Sequence, residues 1–230
     1  MLIKLCGLRT PADVAAANAA APDFAGFVVD VPGRRRSVSA DEAAALSREL
    51  DPGIVRVGVF VDEPADKVAR LVAAGAIDAV QLHGSEDEAY LASLRQALAE
   101  AGAAPSADGA FDAGTRPDRK RWRGRIVRAF RVRGADDLAA ARECSANAVL
   151  LDGGAGEGRA FDWECLRGFP RPFFLAGGLS PENVACAVSR VRELAGAALI
   201  GVDMSSGVET KHVKDPVKMA AAVAAVRSIS

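Results

Sequence analysis

The feature that most constrains the fold is a regular alternation of short apolar runs with longer stretches rich in Ala, Leu, Glu and Arg. Eight runs rich in Val, Ile, Leu and Phe predict β-strands, because they are short and end in polar or Gly-rich residues. The predicted strands are Leu2 to Cys6, Phe24 to Val29, Val55 to Val61, Ala79 to Leu82, Ile126 to Phe130, Ala148 to Leu151, Pro172 to Ala176 and Ala198 to Val202.

The stretches between these runs have helical spacing. They are Pro11 to Ala20, Asp41 to Leu50, Asp66 to Ala74, Asp87 to Ala101, Ala135 to Cys144, a shorter piece at Phe161 to Leu166, Pro181 to Leu194 and Pro216 to Ser228. Each helix supplies the crossover that a parallel strand pair needs. A doubly wound open sheet shows the same periodicity, but the count of eight favours an α/β fold of the (β/α)8 TIM-barrel type, with residues 1–230 as a single domain.

Residues 102–125 interrupt the alternation. The segment is rich in Ala, Gly and Asp, and it ends in a cluster of basic residues from Arg116 to Arg125. A connection from a helix to a strand lies at the bottom of a barrel, away from the expected site. We therefore expect an exposed connection here.

Charge and cysteine usage limit the function classes. Lys and Arg number 29 against 30 for Asp and Glu, so neither nucleic acid nor a membrane is favoured as a partner. The four cysteines have no Cys-x-x-Cys spacing, which argues against a metal ribbon or a disulfide scaffold. With no apolar stretch of about 20 residues and no signal-peptide pattern, a cytoplasmic protein acting on a small molecule is expected.

Candidate chemistry lies where the strands end. In a TIM barrel the reactive residues follow the carboxyl ends of the strands, and here Cys6 precedes Gly7 while Asp152 precedes Gly153. A thiol base and a carboxylic acid would form a pair if these two strands were neighbours. The other strand ends also carry polar or Gly-rich sequence, namely 34–36, 62–63, 83–84, 131, 177–178 and 203–207.

Two of these ends predict a phosphate site. Gly177 and Gly178 precede a helix that we expect to begin at Pro181 with Ser180 as its cap. Glycines let an anion approach the main chain, and a helix N-terminus adds partial positive charge. The next strand end, 203–207, adds further amides and hydroxyls, and the loops after strands seven and eight are the usual phosphate site of this fold.

The segment 153–160 has glycine spacing that superficially matches a nucleotide-binding P-loop. Arg159 stands in place of the lysine and Ala160 in place of the Mg-binding hydroxyl. We expect a flexible or substrate-covering loop instead.

Seven segments, in order, resemble those of phosphoribosylanthranilate isomerases. They are 4–7 (KLCG), 81–84 (QLHG), 128–132 (RAFRV), 150–152 (LLD), 161–163 (FDW), 175–183 (LAGGLSPEN) and 201–209 (GVDMSSGVE). The resemblance implies a TIM barrel that performs an Amadori rearrangement in tryptophan biosynthesis. It implies an isomerase that converts an aldose to a ketose without a metal or cofactor, acts on a small phosphorylated substrate, and is a monomer or homodimer.

The resemblance also implies residue roles. Asp152 is then the general acid that protonates the ribose ring oxygen, and Cys6 is the base that removes the proton from C2. Arg36 matches the arginine that binds the anthranilate carboxylate. The other residues assigned to the substrate are Lys4, His83, Arg131 and Asp203, and those assigned to its phosphate are Gly177, Gly178, Ser205, Ser206 and Gly207.

The thiol needs activation, because an unperturbed cysteine is only a few per cent thiolate at neutral pH. Lys4 lies two residues before Cys6, hence on the same strand face and roughly 7 Å away. We expect Lys4 to favour the thiolate. His83 is a rival base, because imidazole titrates nearer neutrality.

Three other functions are alternatives for a barrel of this kind. A histidine-pathway isomerase with the same chemistry normally uses two aspartates, which Cys6 argues against. Indole-glycerol-phosphate synthase needs a lysine and a glutamate that we cannot place at the strand ends. A catalytically silent phosphate-binding barrel is the third alternative.

Overall fold

Parallel strands and their crossover helices dominate the computed structural model, which describes residues 1–105, 117–154 and 162–229. The strands are β1 (Leu2–Cys6), β2 (Phe24–Val29), β3 (Ser37–Val38), β4 (Val55–Phe60), β5 (Ala79–Leu82), β6 (Ile126–Arg131), β7 (Ala148–Asp152), β8 (Phe173–Ala176), β9 (Leu199–Met204), β10 (Glu209–Thr210) and β11 (Val213–Lys214). The helices are α1 (Pro11–Ala20), α2 (Ala40–Arg48), α3 (Ala65–Ala73), α4 (Glu88–Glu100), α5 (Arg119–Trp122), α6 (Ala135–Glu143), α7 (Val184–Ala195) and α8 (Pro216–Arg227).

The long sheet closes on itself. Its strand order is β1-β9-β8-β7-β6-β5-β4-β2-β3, and β1 also pairs in parallel with β2. Eight strands therefore form a closed parallel barrel, with β3 added beside β2. This confirms the predicted TIM barrel and excludes the doubly wound open sheet. The two-stranded β10–β11 hairpin is antiparallel and separate from the barrel.

The predicted barrel strands agree with the observed ones to within two residues at each end. The predicted start of α7 is wrong, because Pro181 lies in a turn and the helix begins at Val184. That turn is closed by Ser180, whose N–H donates to Asn183 Oδ1 at 2.8 Å and whose carbonyl accepts from the Asn183 N–H at 3.2 Å. The short piece expected from Phe161 is a 3₁₀ helix at Trp163–Leu166, and Phe161 lies outside the described residues.

Period-two alternation sorts each barrel strand into an inner and an outer face. On β1, Leu2 joins an inner cluster with Phe24 and Phe174, whereas Ile3 and Leu5 join the larger cluster under the helices. The inner cluster fills the lower part of the barrel with apolar side chains. Polar side chains take the inward positions above it, which places chemistry at the carboxyl end of the barrel.

The predicted exposed connection is corrected at its C-terminal end. Trp122 of α5 is only 6% exposed and packs edge-on against Phe24, with ring centroids 4.6 Å apart. On the same helix Arg119 donates to Asp78 at 3.0 Å. An indole among inner-face aromatic rings buries a large apolar surface, so this segment closes the bottom of the barrel. Residues 106–116 of the connection lie outside the described part.

Of the helices in the described ranges, none combines the length and the hydropathy that a bilayer crossing requires.

Candidate active site

The proposed base and acid do not lie on neighbouring strands. Two strands, β9 and β8, separate β1 from β7 in the barrel. Cys6 and Asp152 are each the last inward-facing residue of their strand. They therefore face the mouth at the carboxyl end of the barrel from different sides. The loops after β8 and β9, where the sequence predicts a phosphate site, lie between them along the rim.

A buried charged group surrounds the thiol. Lys4 Nζ donates to Asp203 Oδ1 at 2.9 Å, and the two side chains are 4% and 9% exposed. A Cβ on Gly26 would lie 2.8 Å from Cys6 Sγ and 3.2 Å from Lys4 Nζ. Both atoms thus approach the same point over β2, and the absence of a side chain at Gly26 leaves room for them. The predicted proximity of Lys4 and Cys6 is present in the structure.

Burial and the neighbouring charges shift the pKa values of this group in opposite directions. Burial raises the pKa of the Cys6 thiol, and the Lys4 ammonium, which acts to lower it, does not cancel that effect. The Asp203 carboxylate raises the pKa of Cys6 further. Burial acts to lower the pKa of Lys4, yet Asp203 and Cys6 hold that pKa above its ordinary value. Lys4 is therefore a stable cation whose charge acts in favour of the thiolate, but the net effect of burial is to raise the pKa of Cys6, which favours the protonated thiol at neutral pH.

The acid side is more open. Asp152 Oδ1 accepts from the Gly154 N–H at 2.8 Å, and its other oxygen, Oδ2, lies 3.8 Å from His83 Nε2. The side chains of His83 and Asp152 are 38% and 26% exposed. Burial lowers the pKa of His83, partly offset by the Asp152 carboxylate, so the imidazole is mainly neutral at pH 7. His83 thus lies beside the proposed acid rather than beside the thiol.

Arg131 belongs to the same side of the mouth. It is the Cα partner of Asp152 in the β6–β7 pairing. A Cβ on Gly154 would lie 3.2 Å from Arg131 Nε, so this guanidinium packs against the backbone that leaves β7. The residues of the expected covering loop from Ala155 to Ala160 lie outside the described part of the chain.

Arg36 reaches the thiol's strand end from the loop before β3. A Cβ on Gly7, whose φ is +80°, would lie 2.7 Å from Arg36 Cδ, so the arginine lies directly over the turn that follows Cys6. Its guanidinium donates from Nε and Nη2 to the two oxygens of Glu209, at 2.7 and 2.9 Å. This ion pair was not anticipated from the sequence.

The two predicted phosphate loops pack against each other. Gly177 and Gly178 both have positive φ, and a Cβ on Gly207 would lie 1.9 Å from the Leu179 carbonyl oxygen. Within the described ranges, the backbone N–H groups of Gly178 and Ser206 have no protein acceptor. Ser205 Oγ donates to the Cys6 carbonyl at 3.1 Å, which joins this region to β1. The arrangement offers free amides to an anion at the rim.

Three polar side chains at the site received no role from the sequence. Two are Glu209 and Lys214, whose side chains pair at 2.9 Å. The third is Gln81, which is 2% exposed, faces inward on β5 below His83, and has no side-chain hydrogen-bond partner among the residues that the structure describes. No fully enclosed side-chain atom in that same part lacks a partner, so the Gln81 amide borders open space in the mouth. The sequence could have indicated this position, because Gln81 lies two residues after the apolar Ala79 and therefore on the same face of β5.

Comparison with known proteins identifies the family of the chain. The family profile described as N-(5'-phosphoribosyl)anthranilate (PRA) isomerase matches residues 3–107 and 117–225. The chain belongs to the phosphoribosylanthranilate isomerase family. Among the relatives of this isomerase, the N-(5'-phosphoribosyl)anthranilate isomerase of Endomicrobium trichonymphae is 36% identical over 232 residues, covering 99% of this chain and 98% of that protein. The one from Acetivibrio thermocellus is 38% identical over 228 residues, covering 94% and 91%.

Solved structures show the same relationship. A phosphoribosylanthranilate isomerase in complex with reduced 1-(o-carboxyphenylamino)-1-deoxyribulose 5-phosphate superposes on this isomerase with a TM-score of 0.76, 27% identity and 99% coverage of both chains. The isomerase from Thermus thermophilus gives a TM-score of 0.72 at 30% identity, with 100% coverage of both. The chain is thus an isomerase of tryptophan biosynthesis by family.

Proposed function

We propose that this isomerase converts N-(5'-phosphoribosyl)anthranilate to 1-(2-carboxyphenylamino)-1-deoxyribulose 5-phosphate, with Asp152 as general acid and Cys6 as general base. The observation that carries the proposal is the order of groups around the rim. The phosphate loops after β8 and β9 lie between the strand that carries Cys6 and the strand that carries Asp152. A ribose held by its 5-phosphate at these loops has one group on each side.

The first step is ring opening at Asp152. The protonated carboxyl donates to the ribose ring oxygen, the C1–O bond breaks, and the anilino nitrogen supplies its lone pair to give an iminium ion. The Gly154 N–H holds one carboxyl oxygen, which leaves the other oriented toward the mouth. A positioned carboxyl that protonates a leaving oxygen supplies roughly 10²–10⁴-fold in rate.

The second step is deprotonation at Cys6. The thiolate takes the proton from C2 of the iminium ion, and the electron pair moves to form an enolamine, which then tautomerises to the ketone. The Lys4 ammonium stabilises the thiolate, while Asp203 keeps Lys4 charged and oriented. The iminium charge on the substrate also favours the thiolate at the moment when it is needed.

The remaining side chains bind the rest of the substrate. Arg36, lying over Gly7, faces the anthranilate carboxylate, and neutral His83 offers a hydrogen bond beside Asp152. The described amides of Gly178 and Ser206 face the phosphate. Binding of the phosphate fixes the ribose between acid and base, which is how a remote group contributes to rate.

A fluorescence assay tests the proposal. Purified protein is added to freshly generated phosphoribosylanthranilate, whose fluorescence decays slowly by itself, and decay faster than this spontaneous rate is expected. Decay at the spontaneous rate would favour the silent phosphate-binding barrel instead. The aminoimidazole substrate of the histidine pathway, tested in parallel, is expected to show no turnover, because the base here is a thiol.

Whether this chain is a monomer or a homodimer stays a prediction with both alternatives open. One structural neighbour is described as a monomer generated from the dimeric isomerase of Thermotoga maritima, at 28% identity and a TM-score of 0.73. Light scattering of the purified protein measures its oligomeric state directly.

A further inference from the structure

The Glu209 carboxylate occupies one edge of the Arg36 guanidinium. Arg36 uses Nε and one Nη2 hydrogen for Glu209, so three of its five N–H groups remain. Two of these, on Nη1 and Nη2, form the end of the guanidinium fork. A second carboxylate can therefore bind Arg36 bidentately only end-on, because the side edge is already taken.

The pair is too buried and too well connected to be a chance surface contact. The Glu209 side chain is 5% exposed, and Glu209 also accepts from Lys214 Nζ at 2.9 Å. Glu209 and Lys214 are directly paired across the β10–β11 hairpin. Burial acts to raise the pKa of Glu209, but the hydrogen bonds and charges of Arg36 and Lys214 outweigh it and lower that pKa to about 2. Glu209 therefore remains a carboxylate at any working pH.

Lys214 supplies the buried positive charge of this cluster. Arg36 and Glu209 cancel each other, and Lys214, whose side chain is 2% exposed, makes the sum of these three groups +1. Arg35 Nη2 also lies 4.0 Å from Glu209 Oε2, but its side chain is 49% exposed, so solvent screens its charge. Lys214 Nζ also donates to the Ser205 carbonyl at 2.9 Å, and Ser205 Oγ donates to the Cys6 carbonyl. The cluster thus connects Arg36 with the phosphate loop and with the end of the thiol's strand.

We propose that Glu209 is a positioning residue that fixes Arg36 so that only its Nη1–Nη2 end meets the ring carboxylate of the substrate, and that Lys214 keeps this subsite cationic. The inference rests on the proposed function, because it takes Arg36 as the carboxylate-binding residue. It makes Glu209 and Lys214 determinants of specificity for a carboxylated aryl group. Neither side chain needs to touch the substrate.

The test compares two stable probes that differ by one group. One is reduced 1-(o-carboxyphenylamino)-1-deoxyribulose 5-phosphate, and the other is the same compound without the ring carboxyl. Calorimetry gives Kd for both with the wild-type protein and with Glu209→Gln, Glu209→Asp, Lys214→Met and Arg36→Met. Glu164→Gln is the matched control, because Glu164 also pairs with two arginines, Arg167 and Arg190, but on exposed helical surface.

Glu209→Gln is expected to weaken the carboxylated probe by roughly 10- to 100-fold, the size of effect that losing a hydrogen bond to a charged group produces. The probe without the carboxyl should change by less than about threefold, since the phosphate loop is intact. Glu209→Asp keeps the charge but is too short for both bonds, so it should show the same selectivity with a smaller loss. Lys214→Met should also act selectively, and Glu164→Gln should change neither probe.

Each contrary result has its own meaning. Equal weakening of both probes by Glu209→Gln and Glu209→Asp, or no weakening of either, would overturn the positioning role. If Arg36→Met fails to discriminate between the probes, the carboxylate assignment under the proposed function is wrong, whatever Glu209 does. Should Glu209→Gln fail to fold in thermal unfolding, the Glu209→Asp and Lys214→Met results decide the question.

Discussion

The two sides of the barrel mouth are built differently. On the thiol side, Lys4, Cys6 and Asp203 form a buried group whose members already pair with one another. On the acid side, Asp152 and His83 are partly exposed and 3.8 Å apart, which is beyond hydrogen-bond distance. The base is therefore fixed by the protein before substrate arrives, whereas the acid side has room for a substrate group between its residues. The base acts in its ionised form, which burial opposes, so it needs the Lys4 cation beside it, whereas the acid acts in its protonated form.

The largest expected effects test whether the two sides act as one catalytic pair. Cys6→Ser and Asp152→Asn should each lower kcat by roughly 10²–10⁴-fold, because each removes a group that transfers a proton. KM for phosphoribosylanthranilate should change much less, since neither group holds the phosphate or the ring carboxylate. Steady-state fluorescence kinetics measure both values. If either variant keeps more than about a tenth of wild-type kcat, that residue is not the proton-transfer group.

The next expected effect tests how the charges of Lys4 and Asp203 act on the thiol. Lys4 lowers the pKa of Cys6 and Asp203 raises it. Lys4→Met should thus move the rising limb of the kcat/KM profile to higher pH, and Asp203→Asn should move it to lower pH, each by roughly one unit. The activity of Lys4→Met falls at neutral pH because less thiolate is present. Shifts in the same direction for both variants would contradict the assigned signs, and an unchanged profile in Lys4→Met would exclude Lys4 from activating the thiol.

A smaller effect is expected from His83. His83→Asn should reduce kcat/KM by roughly 2- to 10-fold, the worth of one ordinary hydrogen bond. The reason is its place beside Asp152, where it can position the substrate but not replace the thiol. The comparison with Cys6→Ser is the decisive measurement. Loss of nearly all turnover in His83→Asn, with turnover kept in Cys6→Ser, would make His83 the base and reverse the assignment of the two sides.

The sequence predicted the barrel well because strand periodicity is local. Eight apolar runs predicted the strands, and Cys6, Asp152 and His83 follow the carboxyl ends of three of them, which predicts that they share one mouth. What it could not predict are contacts between residues far apart in sequence. The pairing of Arg36 with Glu209 spans 173 positions, and Trp122 closes the barrel floor only because β2 and β8 bring Phe24 and Phe174 into contact with it. The start of α7 failed for a local reason, because the Asn183 side chain caps a turn that the Ser-Pro signal concealed.

The smallest expected effect probes how tightly the thiol side is packed. Gly26→Ala places a methyl group 2.8 Å from Cys6 Sγ and 3.2 Å from Lys4 Nζ, so one of these atoms must move. Overpacking of this kind costs about 1–3 kcal/mol of unfolding free energy, measurable by urea denaturation. Gly134→Ala is the control without overpacking, because nothing lies within 4 Å of its Cβ and its φ of −174° is extended backbone. Gly134 is the N-cap of α6, where Ala is less favourable than Gly, so its cost should stay below about 1 kcal/mol. Because the displaced atoms are the base and its cation, Gly26→Ala should also lower kcat more than Gly134→Ala does. An equal cost in both variants would mean that the residues around the thiol rearrange as easily as an exposed surface. The conclusion that the base is held more rigidly than the acid would then be wrong.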